Sequence, residues 1–252
     1  MQDFNWIIFL IFGLLIGSFL NVVVFRIDDL KSIATGRSHC QSCKKDIAWY
    51  DLIPVISFML LKGKCRYCKS NISWQYPVVE IATALVFVIL FLVFGLSLAT
   101  FFYIFIFCLL MVVAVYDIKT QFVPDSLVWI VLMTSLLGGY IGGFGLLSMV
   151  LGALVGGGLL AFLVVVSKEK WMGAGDIKIG IILGLLNGFG RSIVALFLSF
   201  LLGSIVGLIY IYVTKKTMKS SLPFAPFLIV STLIALVVGN FLIDWYLGKI
   251  YL

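Results

Sequence analysis

The feature that most constrains this chain is the length of its apolar runs, none of which holds more than one charged residue. Eight of them, at about 6–24, 77–94, 101–116, 126–141, 146–166, 177–189, 192–213 and 224–246, occupy more than half of the 252 residues. A helix of roughly 20 apolar residues crosses a hydrocarbon layer about 30 Å thick. With 63% hydrophobic and only 12% charged residues, and a mean hydropathy of +1.20, a soluble core has no way to hide so much apolar surface. In lipid the backbone must satisfy its own hydrogen bonds. The expected fold is therefore an all-α polytopic membrane protein with about eight transmembrane helices.

Charge orients the helices. If all eight runs cross and the N-terminus lies outside, sixteen of the eighteen Lys and Arg fall on the inner side, leaving only Arg191 and Lys249 outside. The sixth run, 177–189, is short and contains Asn187 and Gly188. Leaving it uncrossed would put Lys215, Lys216 and Lys219 outside, against the positive-inside tendency, so it is expected to be a short, tilted or thinned crossing. No basic residue precedes the first run and Arg26 follows it, which reads as a retained helix rather than a cleaved leader. The net charge of +7 faces an anionic leaflet and calls for no nucleic-acid partner.

The chain divides into a first transmembrane helix (1–25), a polar loop (26–75) and a seven-helix core (76–252). The loop contains Cys40-Gln41-Ser42-Cys43 and Cys65-Arg66-Tyr67-Cys68. Two CxxC pairs at this separation have the spacing of a zinc ribbon, with Cys40, Cys43, Cys65 and Cys68 as four thiolate ligands. A reducing cytosol disfavours disulfides. Four thiolates leave no open position on the metal, so the expected role of Zn2+ is structural. A thiol redox pair is the alternative for these cysteines. His39, the only histidine, stands next to Cys40 as an alternative ligand. Cys108, alone in the third run, reads as a packing residue.

Two strings bring carboxylates to the ends of apolar runs: Tyr116-Asp117-Ile118-Lys119 and Gly173-Ala174-Gly175-Asp176-Ile177-Lys178. An ionised group is expensive there and is a functional candidate by default. A pair suggests an aspartyl protease. One carboxylate takes a proton from water and the other donates to the scissile carbonyl oxygen, and like-charge repulsion in a poorly hydrated site holds a single proton between them. Gly173 and Gly175 are expected to let the backbone beside Asp176 approach an extended substrate. Asp125, after Pro124, is a rival for the first position, with helix capping as its expected task. Glu80 either pairs with a basic residue or orients substrate. A single histidine makes a Ser-His-Asp hydrolase hard to assemble, and the Gly-rich stretches lack the setting of a dinucleotide site. A proton- or cation-coupled transporter using two acidic sites is the alternative function, and a zinc-ribbon scaffold is a third.

Six motifs occur in one order: Gly17-Ser18-Phe19-Leu20-Asn21-Val22-Val23, Asp51-Leu52-Ile53-Pro54-Val55, Gly63-Lys64-Cys65-Arg66-Tyr67-Cys68, Tyr76-Pro77-Val78-Val79-Glu80, Asp117 through Pro124-Asp125, and Gly173-Ala174-Gly175-Asp176. In this the chain resembles the type IV prepilin peptidase family. The resemblance implies an aspartyl protease of the bacterial cytoplasmic membrane that cuts the leader from prepilins or pseudopilins at the cytoplasmic face, with Asp117 and Asp176 as its catalytic acids. It also implies, for many members, methylation of the new N-terminus with S-adenosylmethionine, and a tetracysteine loop. Asn21 and Arg26 are candidates for the substrate or methyl-donor site, with helix packing and the positive-inside signal as their alternatives.

Overall fold

Every apolar run becomes helical. In a computed structural model, which describes residues 5–27, 36–214 and 222–250, the elements are α1 (Asn5–Arg26), a 3-10 turn (Trp49–Leu52), α2 (Ile56–Leu60), α3 (Gln75–Phe94), α4 (Leu98–Thr120), α5 (Asp125–Ile141), α6 (Leu146–Ser167), α7 (Ala174–Thr214) and α8 (Ala225–Ile250). Among the described residues there is no strand, only two isolated bridges in the polar loop. Residues 1–4 and Lys31, Lys215, Lys216 and Lys219, which entered the charge argument, lie outside the described residues.

Among the described residues six helices are long and apolar enough to cross a membrane, and α5 is a shorter apolar helix of 17 residues. The chain is a multi-pass membrane protein. The sixth and seventh apolar runs fall on the single element α7, which is broken at Gly188 (φ 66, ψ −177). That φ is open to glycine and strained for other residues. Before the break the chain runs alongside α8, with Asn187 beside Thr232. After it the chain runs back, from Arg191 at Asn240 and Leu236 to Gly203 beside Phe224 and Phe227. The segment from Ala174 to Asn187 is therefore only about 20 Å long at 1.5 Å per residue.

The chain forms two compact units, Met1–Val112 and Val113–Leu252. In the first, α1 and α3 run antiparallel at close range. A Cβ on Gly13 would lie 2.5 Å from Ala84 Cα, and one on Gly17 would lie 2.7 Å from Glu80 Cα. Small residues that let backbones approach are the usual means of helix association in lipid. Ring stacking of Phe9 on Phe91 (4.4 Å) and of Phe25 on Tyr76 (5.7 Å) closes the two ends of this seam.

In the second unit α6 and the first segment of α7 pack glycine on glycine. A Cβ on Gly152 would lie 2.6 Å from Gly184 O, and one on Gly156 would overlap Gly180 O. The interior of this unit holds Ser199, Ser231 and Thr232, whose hydroxyls bond to carbonyls one turn back on their own helices. Large apolar side chains such as Leu154, Phe162 and Val165 point outward. The few hydroxyls lie among buried Leu, Ile and Met side chains, with their polar atoms satisfied inside rather than facing lipid.

Candidate active site and metal centre

Asp117 lies in the last turn of α4 and Asp176 in the first turn of α7. Both are buried, at 6% and 8% exposure, and the two carboxylates are close enough to interact electrostatically. They belong to the same compact unit.

Each acid is anchored by a backbone amide. The Gly173 N–H donates to Asp176 Oδ2 at 3.3 Å, and the Asp176 N–H donates back to Gly173 O at 3.1 Å. The first bond is one half of a capping box, an acid at the third helical position reaching back to the N-cap amide, and the second is a backbone turn bond because glycine has no side chain to supply the other half. The Ala225 N–H, at the start of α8, donates to the Asp117 carboxylate, while Asp117 Oδ2 is buried without a partner. A helix N-terminus favours negative charge, and an unpartnered buried oxygen is costly enough to need an explanation. This oxygen is where a water or a substrate atom would bind.

Neither Gly173 nor Gly175 has a left-handed φ. A Cβ on Gly175 would lie 2.9 Å from Val123 Cγ2, whereas one on Gly173 would meet nothing closer than 4.0 Å. The constraint at Gly175 is thus steric, set by the segment leading into α5. Asp125 opens α5, is 64% exposed and is ion-paired with Lys178, which occupies it away from the two buried acids.

The four cysteines form the second cluster, in the first unit. Their sulfurs all lie within 4.8 Å of one another, with Cys40 Sγ 3.8 Å from Cys68 Sγ. Tetrahedral Zn–S bonds of ~2.3 Å require S···S separations of ~3.8 Å, so the donor set fits zinc in type, number and spacing.

The two knuckles are copies of one another at an offset of 25 residues. The Cys40 N–H donates to Lys45 O and the Lys44 N–H to Cys40 O. The Cys65 N–H donates likewise to Ser70 O and the Lys69 N–H to Cys65 O. Lys44 and Lys69 share a positive φ (58° and 60°). His39 and Lys64 occupy equivalent bridge positions, paired with Asp46 and Asn71, and His39 Nδ1 faces Arg37 O. His39 is outside the thiol cluster.

The thiols differ in how readily they ionise. Backbone hydrogen bonding at Cys43 brings the Cys40 thiol down to about 6. Although Cys43 accepts from the Lys45 backbone, burial and the neighbouring Cys40 and Cys68 push it up to about 11. Four crowded sulfurs cannot all be thiolates until a metal neutralises them.

Comparison with known proteins decides the family. A family model described as "Bacterial Peptidase A24 N-terminal domain" matches residues 11–94, and one described as "Type IV leader peptidase family" matches residues 104–208. The chain belongs to the type IV leader peptidase family. Relatives named prepilin leader peptidase/N-methyltransferase include one from Bacillus subtilis (strain 168), 32% identical over 247 residues that cover 95% of this chain and 97% of the relative. Another, from Aeromonas salmonicida (strain A449), is also 32% identical, covering 95% of this chain and 93% of the relative. One from Legionella pneumophila is 27% identical, with 98% and 96% covered. No solved structure matches the chain.

The remaining candidates of this peptidase lie in its first unit. Glu80, 5% exposed, has no ion pair among the described residues. Its Oε2 accepts the Val55 N–H at 2.8 Å, and Ser18 also bonds to the carboxylate. Asn21 bridges Tyr76 O and Gln75, and Arg26 bonds to Gly36 O and Arg37 O. Sequence reasoning missed Asp51 and Arg66 as a pair, joined by two hydrogen bonds of 2.8 and 2.6 Å. It also missed Ala225, a backbone donor that no side-chain motif announces.

Proposed function

We propose that this membrane peptidase removes the leader of type IV prepilins or pseudopilins by an aspartic mechanism, with Asp117 and Asp176 sharing the acid and base roles. The observation that carries this is a pair of buried carboxylates on different helices of one compact unit, each anchored by an amide, with Asp117 Oδ2 left unpartnered. The ionised member takes a proton from water as the water oxygen bonds to the scissile carbon. The protonated member donates to the carbonyl oxygen. Collapse of the tetrahedral species, with a proton delivered to the departing nitrogen, breaks the C–N bond. Gly175 keeps the backbone beside Asp176 narrow, and with Gly173 forms the edge along which an extended substrate would lie.

Cys40, Cys43, Cys65 and Cys68 would hold a zinc ion whose role is to fold the 26–75 loop. The names of the relatives couple leader cleavage to N-methylation, and we extend this second activity to the chain. When bound, S-adenosylmethionine supplies an electrophilic methyl group for the new α-amine. The distribution of Lys and Arg supports an outer N-terminus and a site at the cytoplasmic face of the bacterial inner membrane.

The test is to incubate purified protein with synthetic prepilin N-terminal segments, with and without S-adenosylmethionine, and to weigh the products. A mature segment cut after the leader glycine is expected, one methyl group heavier when the donor is present. An intact segment in the presence of folded protein would overturn the peptidase assignment.

A further inference from the structure

The first unit holds a partly open cavity of about 600 Å³ between the ends of α1 and α3 and the polar loop. That is within the range of small-molecule sites, and neither buried aspartate lines it. Its wall includes Phe25, Arg26, Asp51, Phe58, Tyr76 and Glu80, and it reaches the thiol cluster at Cys40 and Cys65. The Phe25–Tyr76 stack and Phe58 provide flat apolar surface for a ring system. Asp51 is already neutralised by Arg66. Glu80 is not: it has two hydrogen-bond donors and no cation among the described residues.

An ionised carboxylate shut away from water without a counter-charge is unfavourable, and a cationic ligand would remove that penalty. Val55, which holds Glu80 through its N–H, has φ 60°, an unusual conformation for a β-branched residue. Strain of this kind persists where surrounding contacts enforce it, and it clusters at ligand sites.

We propose that this cavity receives the cationic methyl donor, S-adenosylmethionine, with Glu80 facing its positive charge and the aromatic wall taking its base. This rests on the methylation activity proposed above. The spent donor is a neutral thioether at sulfur, so a carboxylate at this place holds the donor more firmly than the by-product.

The test uses purified full-length protein in detergent, without any pilin segment. Calorimetry should find S-adenosylmethionine binding to the wild type. Glu80→Gln should weaken it at least about tenfold, while weakening S-adenosylhomocysteine less. Val22→Trp, which fills the cavity from α1, should also weaken the donor. Ultraviolet crosslinking of the bound donor to wild-type protein should leave the adduct on peptides from 18–26 or 51–80, an outcome that does not depend on any variant folding.

Wild-type protein that neither binds nor uses the donor would overturn the methylation activity and this site together. Protein that binds and methylates, but whose adduct lies elsewhere or whose Glu80→Gln variant keeps full affinity, would overturn the site alone.

Discussion

The thiol cluster and the acid pair are held by different kinds of information. Each thiol is placed by its own neighbours, through amide bonds spanning at most five residues that recur in both knuckles. Asp117 instead depends on an amide 108 positions away, at Ala225. Asp176 begins a segment whose course is set by glycine contacts with α6. Locally encoded geometry forms wherever its segment forms, and fails when that segment unfolds. Geometry built from distant backbone can lose its chemistry while the fold survives. The two centres should therefore break in different ways.

The largest effect is expected at the acids. Asp117→Asn and Asp176→Asn should each reduce leader cleavage by more than about a thousandfold, with normal membrane insertion and an unchanged thermal midpoint. Asp125→Asn, which loses only the surface pair with Lys178, should stay within about twofold of wild type. Normal processing by either buried variant, in a mass assay of the pilin N-terminus, would remove the dyad.

Next comes the metal centre, where loss should appear as loss of protein. Purified wild type should carry about one zinc per chain. Replacing Cys40 and Cys43 together by Ser should abolish the metal and lower abundance several-fold. Equal thermal stability with and without a chelator would show that the thiols contribute nothing to folding.

A smaller effect should follow from crowding Asp176. Gly175→Ala would bring a Cβ to 2.9 Å from Val123 Cγ2 and should slow cleavage about tenfold, equivalent to about 1.4 kcal/mol. Val123→Ala in the same chain should restore much of the rate, because the two sites are in contact. A double variant as slow as the single one would argue against the steric account.

The smallest effect concerns Asp51. Its carboxyl is held below the usual range by hydrogen bonding to Arg66, so its contribution to stability is complete above the unfolded value of about 3.9 and is lost as pH falls through the lower folded value. Asp51→Asn should melt slightly below wild type at neutral pH, and the gap should close in acid. A gap that widened on acidification would contradict this sign.

Much of this was legible in the sequence. The helices were, because most of the apolar runs are long enough to cross a membrane and the shorter ones are apolar throughout. Asn187-Gly188 marked the break in α7. The carboxylates stood out because lipid makes them expensive. The internal copy in the loop was equally visible, since Cys-x-x-Cys-Lys-x-[Asp/Asn]-Ile occurs at both Cys40 and Cys65, but comparison on the scale of whole helices passes over it. Ala225 and Val55 were not legible, because what matters at each is a backbone N–H, which every residue except proline possesses. The reason for Gly175 was hidden too: its neighbour Val123 is 52 positions away, and sequence alone offered backbone freedom as the simpler cause.

The glycine seam between α6 and the first segment of α7 has a mechanical consequence. Where backbone meets backbone, no side chain lies between that could change rotamer and let one helix slide past the other. The segment that begins near Asp176 is thus stiff as well as short, at about 20 Å against a hydrocarbon layer of about 30 Å. A stiff element cannot lengthen to match its surroundings, so the lipid must thin towards it. A bilayer thinned beside this seam would lower the depth to which a substrate helix must enter before its peptide bond met the two acids proposed to cut it.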